Sequence, residues 1–121
     1  MQNRLRPVGA LRPLLYDCGI TGALKVAHIA EGFGVDVEIH AAGPAQRHLM
    51  VACRNDNYYE MALVHPKVAY TKNQIYASDY RDGLDAIDSG GCVPLPEGDG
   101  LGVAYNWALI DRQRTGLRVF E

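Results

Sequence analysis

The period of the apolar positions changes several times along the first half of the chain. Leu14-Leu15-Tyr16 is a continuous apolar run ending at Asp17, which predicts a short buried strand. Cys18-Gly19-Ile20-Thr21-Gly22 then reads as a turn, with Thr21 placed to accept from a first-turn amide as a helix N-cap. Apolar residues at 23, 24, 26, 27 and 30 follow helical spacing up to Glu31, and Gly32 and Gly34 supply a left-handed stop. Val35, Val37 and Ile39 alternate with Asp36, Glu38 and His40, which is the period of a strand. After the small residues Ala41, Ala42 and Gly43, Pro44 suits a first helical position, where its missing amide costs nothing. Leu49, Met50, Ala52 and Cys53 give that helix an apolar face, Asn55-Asp56-Asn57 ends it, and Tyr58–Leu63 reads as a further strand.

Strand and helix thus alternate with connections of a few residues, which implies parallel strands joined by helical crossovers. An open doubly wound sheet and a (β/α)₈ barrel both fit. Three strands close no barrel, and a whole one takes about 250 residues. Beyond Pro66 the pattern changes. Residues 66–91 are polar and turn-rich, Cys92–Val103 is an extended segment dense in Pro and Gly, and the stretch around Trp107 has weak strand character.

Composition narrows the classes. Apolar residues make up 48% and charged residues 21%, a globular balance rather than a disordered one. The net charge of -2, with scattered basic residues, argues against nucleic acid or an anionic membrane as partner. No apolar run approaches the roughly 18 to 20 residues of a membrane span. Cys18, Cys53 and Cys92 are odd in number, far apart and without ligand spacing, so neither a disulfide framework nor a zinc site is expected, and a reducing cytoplasm fits best.

Two residues stand where chemistry is expected. His40 and Glu60 each fall at the C-terminal end of a predicted parallel strand, the end that carries the active site in a barrel. Histidine there can exchange a proton near neutral pH, and glutamate can anchor or donate. Residue type alone does not separate these roles from an ordinary hydrogen-bonded histidine and a solvated carboxylate. Arg47 and His48 open the second helix near the same end and are candidates to meet an anionic substrate. Gly98, Gly100 and Gly102 mimic a nucleotide loop, but no strand precedes them and no helix follows. His28 reads as a helix-surface residue, and His65 has no visible partner.

Four segments together resemble one family. Gly19–Ala27 is similar to the segment after the sixth barrel strand of mandelate racemase-like enzymes in the enolase superfamily. Ala30–Val35, leading to His40, resembles their sixth helix and seventh strand, and Tyr58-Tyr59-Glu60 resembles the eighth strand. Pro94–Val103 looks like the terminal Pro-Gly segment that packs against their capping domain.

The resemblance implies an α/β fold: the C-terminal portion of a (β/α)₈ (TIM-type) barrel, incomplete in this chain. Residues 1–13 would be an irregular lead, 14–65 the units of strands six to eight, and 66–121 an excursion and tail packed toward the capping domain. It also implies a reaction of the acid-sugar dehydratase branch. A base removes the proton α to a carboxylate, Mg²⁺ stabilises the enediolate, and His40 helps expel a β-hydroxyl as water. A racemase or cycloisomerase of the same superfamily would use the same residues, and a non-catalytic α/β module completed by a partner is the remaining alternative. Glu60 would hydrogen-bond on the side of the substrate carboxylate. The family pairs the histidine with a strand-six aspartate, whose aligned position holds Pro13; Asp17, four residues later, is the candidate replacement. The sequence offers no counterpart of the first five strands, their metal-binding carboxylates or the second-strand lysine. The chain alone is therefore expected to bind no Mg²⁺ and to turn over no sugar acid. Self-association stays open.

Overall fold

The computed structural model of the chain describes residues 15–61 and 75–119. Helix α1 (Leu15–Gly32) is two helical pieces merged across Gly19, whose dihedrals of φ 63 and ψ -175 are not helical. The apolar run read as a strand therefore enters a helix at Leu15, while Leu14 lies outside the described residues. A lone extended run needs partners for its backbone amides and carbonyls, whereas a helical turn satisfies them internally. Gly19, not Thr21, takes the non-helical position before the longer piece.

That longer piece is stopped by Gly34, while Gly32 stays within the helix instead of turning left-handed. The Val35 amide donates to the Ala30 carbonyl at 2.9 Å and the Gly34 amide to the Glu31 carbonyl at 2.9 Å. This paired closure places Gly34 at φ 69, a left-handed conformation that suits a residue without a Cβ. Ala23, Ala27 and Ala30 are buried along one helix face, and Lys25, His28 and Ile29 lie exposed on the other. Small side chains on the seam let the following segment approach closely. The core is that alanine seam packed on Val37, Ile39 and Leu49.

Residues 35–40 run extended with the expected alternation: Val37 and Ile39 are buried, and Asp36, Glu38 and His40 are part-exposed. Helix α2 (Pro44–Ala52) packs against α1, opens on Pro44 and closes at Cys53, short of the Asn55–Asn57 stop. Residues 57–61 are again extended, while 62 and 63, the end of the predicted third strand, lie outside the described residues. Val37 and Asp56 form a parallel bridge, with the Val37 amide on the Asn55 carbonyl at 2.8 Å. Buried Asn55 completes the join, donating from Nδ2 to the carbonyls of Ala27 (3.1 Å) and Val35 (3.0 Å).

The direction of pairing is that of a parallel sheet, but the strands are not realised. Among the described residues there are only two isolated bridges and no ladder. One edge-to-edge register point does not sustain a parallel strand, which normally pairs on both sides and is covered on both faces.

In the second half, Tyr76 and Tyr105 form an antiparallel bridge. Rings of Tyr80, Tyr76, Tyr105 and Trp107 follow one another at centroid distances of 4.7, 5.5 and 5.7 Å. Leu84–Ala86 form a 3₁₀ turn. Trp107, read as weak strand, instead opens helix α3 (Trp107–Gln113). The cause is Asn106, whose Oδ1 accepts from the Leu109 amide at 3.1 Å and caps the helix. No helix among the described residues is long and apolar enough to cross a membrane.

Candidate functional site

His40 ends the extended segment 35–40, and Glu60 lies in the extended segment that follows the parallel bridge. The fold brings them together across 20 positions of sequence: His40 Nδ1 and Glu60 Oε2 are 2.8 Å apart. The same Oε2 accepts from the Ala41 amide at 3.2 Å. Both side chains keep access to solvent, at 39% and 32% exposure. Ala41 is the one non-glycine residue with positive φ among the described residues, at 71. This left-handed conformation costs an alanine roughly 1–2 kcal/mol, and here it turns the amide toward Glu60.

The loop after His40 is held from its other end by Tyr59. Its hydroxyl accepts from the Gly43 amide at 2.9 Å and donates to Asp82 Oδ1 at 2.8 Å. Burial first, and then the hydrogen bond to Asp82, push the Tyr59 phenol above its ordinary pKa, so it remains a donor through the neutral range. Tyr80 donates to the same Asp82 oxygen, and its phenol is raised for the same two reasons.

Arg47 is buried beside this cluster. Its Nη2 meets Asp82 Oδ1 at 3.0 Å and the Arg81 carbonyl, and its Nη1 donates to the Pro94 carbonyl at 2.8 Å. The guanidinium carbon also stands 5.1 Å from the Tyr59 ring centroid and 4.7 Å from that of Tyr80. A guanidinium with five donors in a planar fork can serve carbonyls, a carboxylate and ring faces at once. Arg47 thus ties helix α2 to residues 80–94. His48 joins in the same direction, with Nε2 3.2 Å from the Leu101 carbonyl. Asp17 sits in the first helical piece of α1, and its side chain lies outside the described residues, as does His65.

The sequence reading singled out His40, Glu60, Arg47 and His48 but missed Tyr59, Tyr80 and Asp82. Tyr59 is visible as the neighbour of Glu60 in the Tyr58–Leu63 run read as a strand. Asp82 carried no local signal, because its partners lie up to 35 positions away.

Two open grooves flank Arg47. One, of about 410 Å³, is mostly apolar and is lined by Met50, Val51, Tyr58, Met61, Ile87 and Leu95 among others. The other, of about 460 Å³, is lined by Ser78, Asp79, Arg81, Pro96 and their neighbours. Neither of these two includes His40 or Glu60. Among the described residues, no group of three or more His, Cys, Asp or Glu side chains could hold a metal ion. The residues around His40 do not fit a Mg²⁺ site, which needs several oxygen ligands in octahedral array.

Comparison with known families decides the kinship. Residues 4–109 match the model of the family described as Enolase C-terminal domain-like. The chain belongs to that family. A curated relative, the D-gluconate dehydratase of Thermoproteus tenax, is 29% identical over 99 residues. The match covers 79% of this chain but only 19% of the relative, so the chain spans about a fifth of that protein's length. No solved structure matches. The family places the chain in the enolase superfamily, in a barrel-associated α/β setting.

Proposed function

We propose that this chain supplies the strand-seven and strand-eight corner of an acid-sugar dehydratase, with His40 as the group that delivers a proton to the departing hydroxyl. The observation that carries the reading is the convergence of His40 and Glu60 at 2.8 Å, a few residues beyond the parallel bridge between Val37 and Asp56. Kinship to a D-gluconate dehydratase supports an aldonic acid as substrate.

The reaction balances without an external redox partner. The α C–H bond and the β C–O bond break, a base takes the α-proton, and the β-hydroxyl leaves as water with the proton from His40. The resulting enol tautomerises to a 2-keto-3-deoxy acid. His40 is chemically suited, because imidazole exchanges a proton near neutral pH and its access to solvent lets substrate reach it. The Mg²⁺ that the kinship implies would be held by residues other than those around His40, and none of the roles assigned to this chain depends on it. Arg47 and His48 act on the scaffold in this reading, since both terminal nitrogens of Arg47 and Nε2 of His48 already serve the tail at Arg81, Asp82, Pro94 and Leu101.

The test is turnover. Aldonic acids, D-gluconate first, are incubated with the longest polypeptide that carries these residues, and 2-keto-3-deoxy acid is measured. His40→Asn is expected to lower the rate about 100- to 10,000-fold, the range a positioned general acid supplies. A rate unchanged by the substitution, in a polypeptide that turns over an aldonic acid, overturns the reading.

A further inference from the structure

The loop after His40 has no polar side chains of its own. Ala41, Ala42 and Gly43 offer only backbone groups, so hydrogen bonds that fix the loop must reach in from other segments. Ala41 is nevertheless held at a left-handed φ of 71, and strain of that kind persists where the surroundings over-determine the backbone.

Gly43 is gripped on both sides. Its amide donates to the Tyr59 hydroxyl at 2.9 Å, and its carbonyl accepts from the Arg47 amide at 3.1 Å. With a lone pair of the phenol committed to the Gly43 amide, the phenol's own proton goes to Asp82 Oδ1 at 2.8 Å. Donation to a carboxylate makes the phenol oxygen a better acceptor, because hydrogen bonds in a chain polarise one another. The same Asp82 oxygen is held by Arg47 Nη2 at 3.0 Å, in a pair whose side chains are 4% and 9% exposed. Gly43, Tyr59, Asp82 and Arg47 thus close a circuit. Arg47 also reaches the Pro94 carbonyl at 2.8 Å, so the circuit shares a residue with the contact that seats residues 80–94 on helix α2.

We infer that Asp82, acting through the Tyr59 hydroxyl, is a positioning residue for the loop that follows His40, so that the seating of residues 80–94 and the setting of the loop are coupled. The inference rests on the role proposed for His40, and it makes a segment 40 positions further along the chain part of that site.

The test is amide hydrogen exchange of the full chain, read by NMR as the ratio of the Gly43 rate to the Val37 rate. Val37 donates to the Asn55 carbonyl, away from the circuit, so loosening of the whole fold raises both rates together. Tyr59→Phe deletes the acceptor and is expected to raise the ratio roughly 2- to 10-fold, the weight of one hydrogen bond. Asp82→Ala is expected to raise it within the same range. Asp82→Asn keeps an oxygen for the phenol without the charge and should raise it less; it stands in for the alanine variant if that one does not fold. In the Tyr59→Phe background neither Asp82 substitution should raise the ratio further. A ratio that no Asp82 variant moves overturns the inference, because Asp82 then serves the tail alone. A rise that persists undiminished beside Tyr59→Phe overturns it too, because Asp82 then reaches the loop by another route. The ratio needs no turnover, so loss of the dehydratase reading leaves it standing, and an unmoved ratio leaves His40→Asn still decisive for turnover.

Discussion

At the scale of residues, one carboxylate oxygen gathers three donors from separate parts of the chain. Asp82 Oδ1 accepts from Arg47, Tyr59 and Tyr80, and the Arg47–Asp82 pair is almost wholly buried, with 4% and 9% of each side chain exposed. A buried pair adds little net stability over an apolar substitute, but breaking it strands a charge. Asp82→Ala is therefore expected to cost about 3–5 kcal/mol, seen as a lower urea midpoint. A loss below about 1 kcal/mol, the level of a surface pair, would show that Arg47 finds water instead.

Asp56 is the opposite case, a carboxylate that its site disfavours. Burial raises its pKa above 3.8, and repulsion from Glu38 adds to the effect. The amides of Ile39, Asn57 and Tyr58 pull it partly back, although neither carboxylate oxygen makes a well-formed hydrogen bond. Between the unfolded and folded pKa values the native state then holds more protons than the unfolded one. Stability consequently falls as pH rises through that window, and the loss is complete above the folded pKa. Asp56→Asn should remove this part of the slope and be at least as stable as the parent at neutral pH. Urea midpoints of both proteins across the acid range check it; parallel curves would mean that Asp56 ionises as freely in the folded chain as in the unfolded one.

At the scale of elements, what could be read from sequence was what short-range chemistry decides. The Schellman closure at Gly34 followed from glycine's freedom, and the start of α2 followed from Pro44. Alternation at residues 35–40 gave the buried face correctly, and with it the placement of His40 at the segment's end. What failed was decided by competition. Leu15 and Tyr16 are apolar enough for a strand, but a helical turn supplies its own hydrogen bonds and a strand does not. Around Trp107 a single capping side chain, Asn106, outweighed aromatic strand propensity. The partners of Arg47 were illegible for another reason. Its carbonyl and carboxylate acceptors at 81, 82 and 94 come from a segment with no periodicity, so nothing local announced where it would fold back.

At the scale of the molecule, the balance of buried and exposed apolar groups sets the folding behaviour. The main cluster consists of three alanines with Val37, Ile39 and Leu49, and alanine contributes little area. Meanwhile Phe33, Tyr58, Val51 and Trp107 are 82%, 76%, 71% and 65% exposed. Tyr58 and Val51 also line the apolar groove beside α2, so part of this surface is contiguous. The slope of stability against denaturant follows the surface newly exposed on unfolding. A chain that leaves its large side chains outside exposes little more when it unfolds. Its urea transition is expected to be shallow, with a slope near or below about 1 kcal/mol per molar, the low end for small domains. Dilute chain should also bind an apolar dye before denaturation and self-associate as concentration rises, because contiguous apolar surface seeks cover. Far-UV circular dichroism through the titration, with sedimentation at two concentrations, measures both. A steep transition in a monomer that binds no dye would mean that Phe33, Tyr58 and Val51 are covered in solution, and that the six-residue cluster is only part of a larger core.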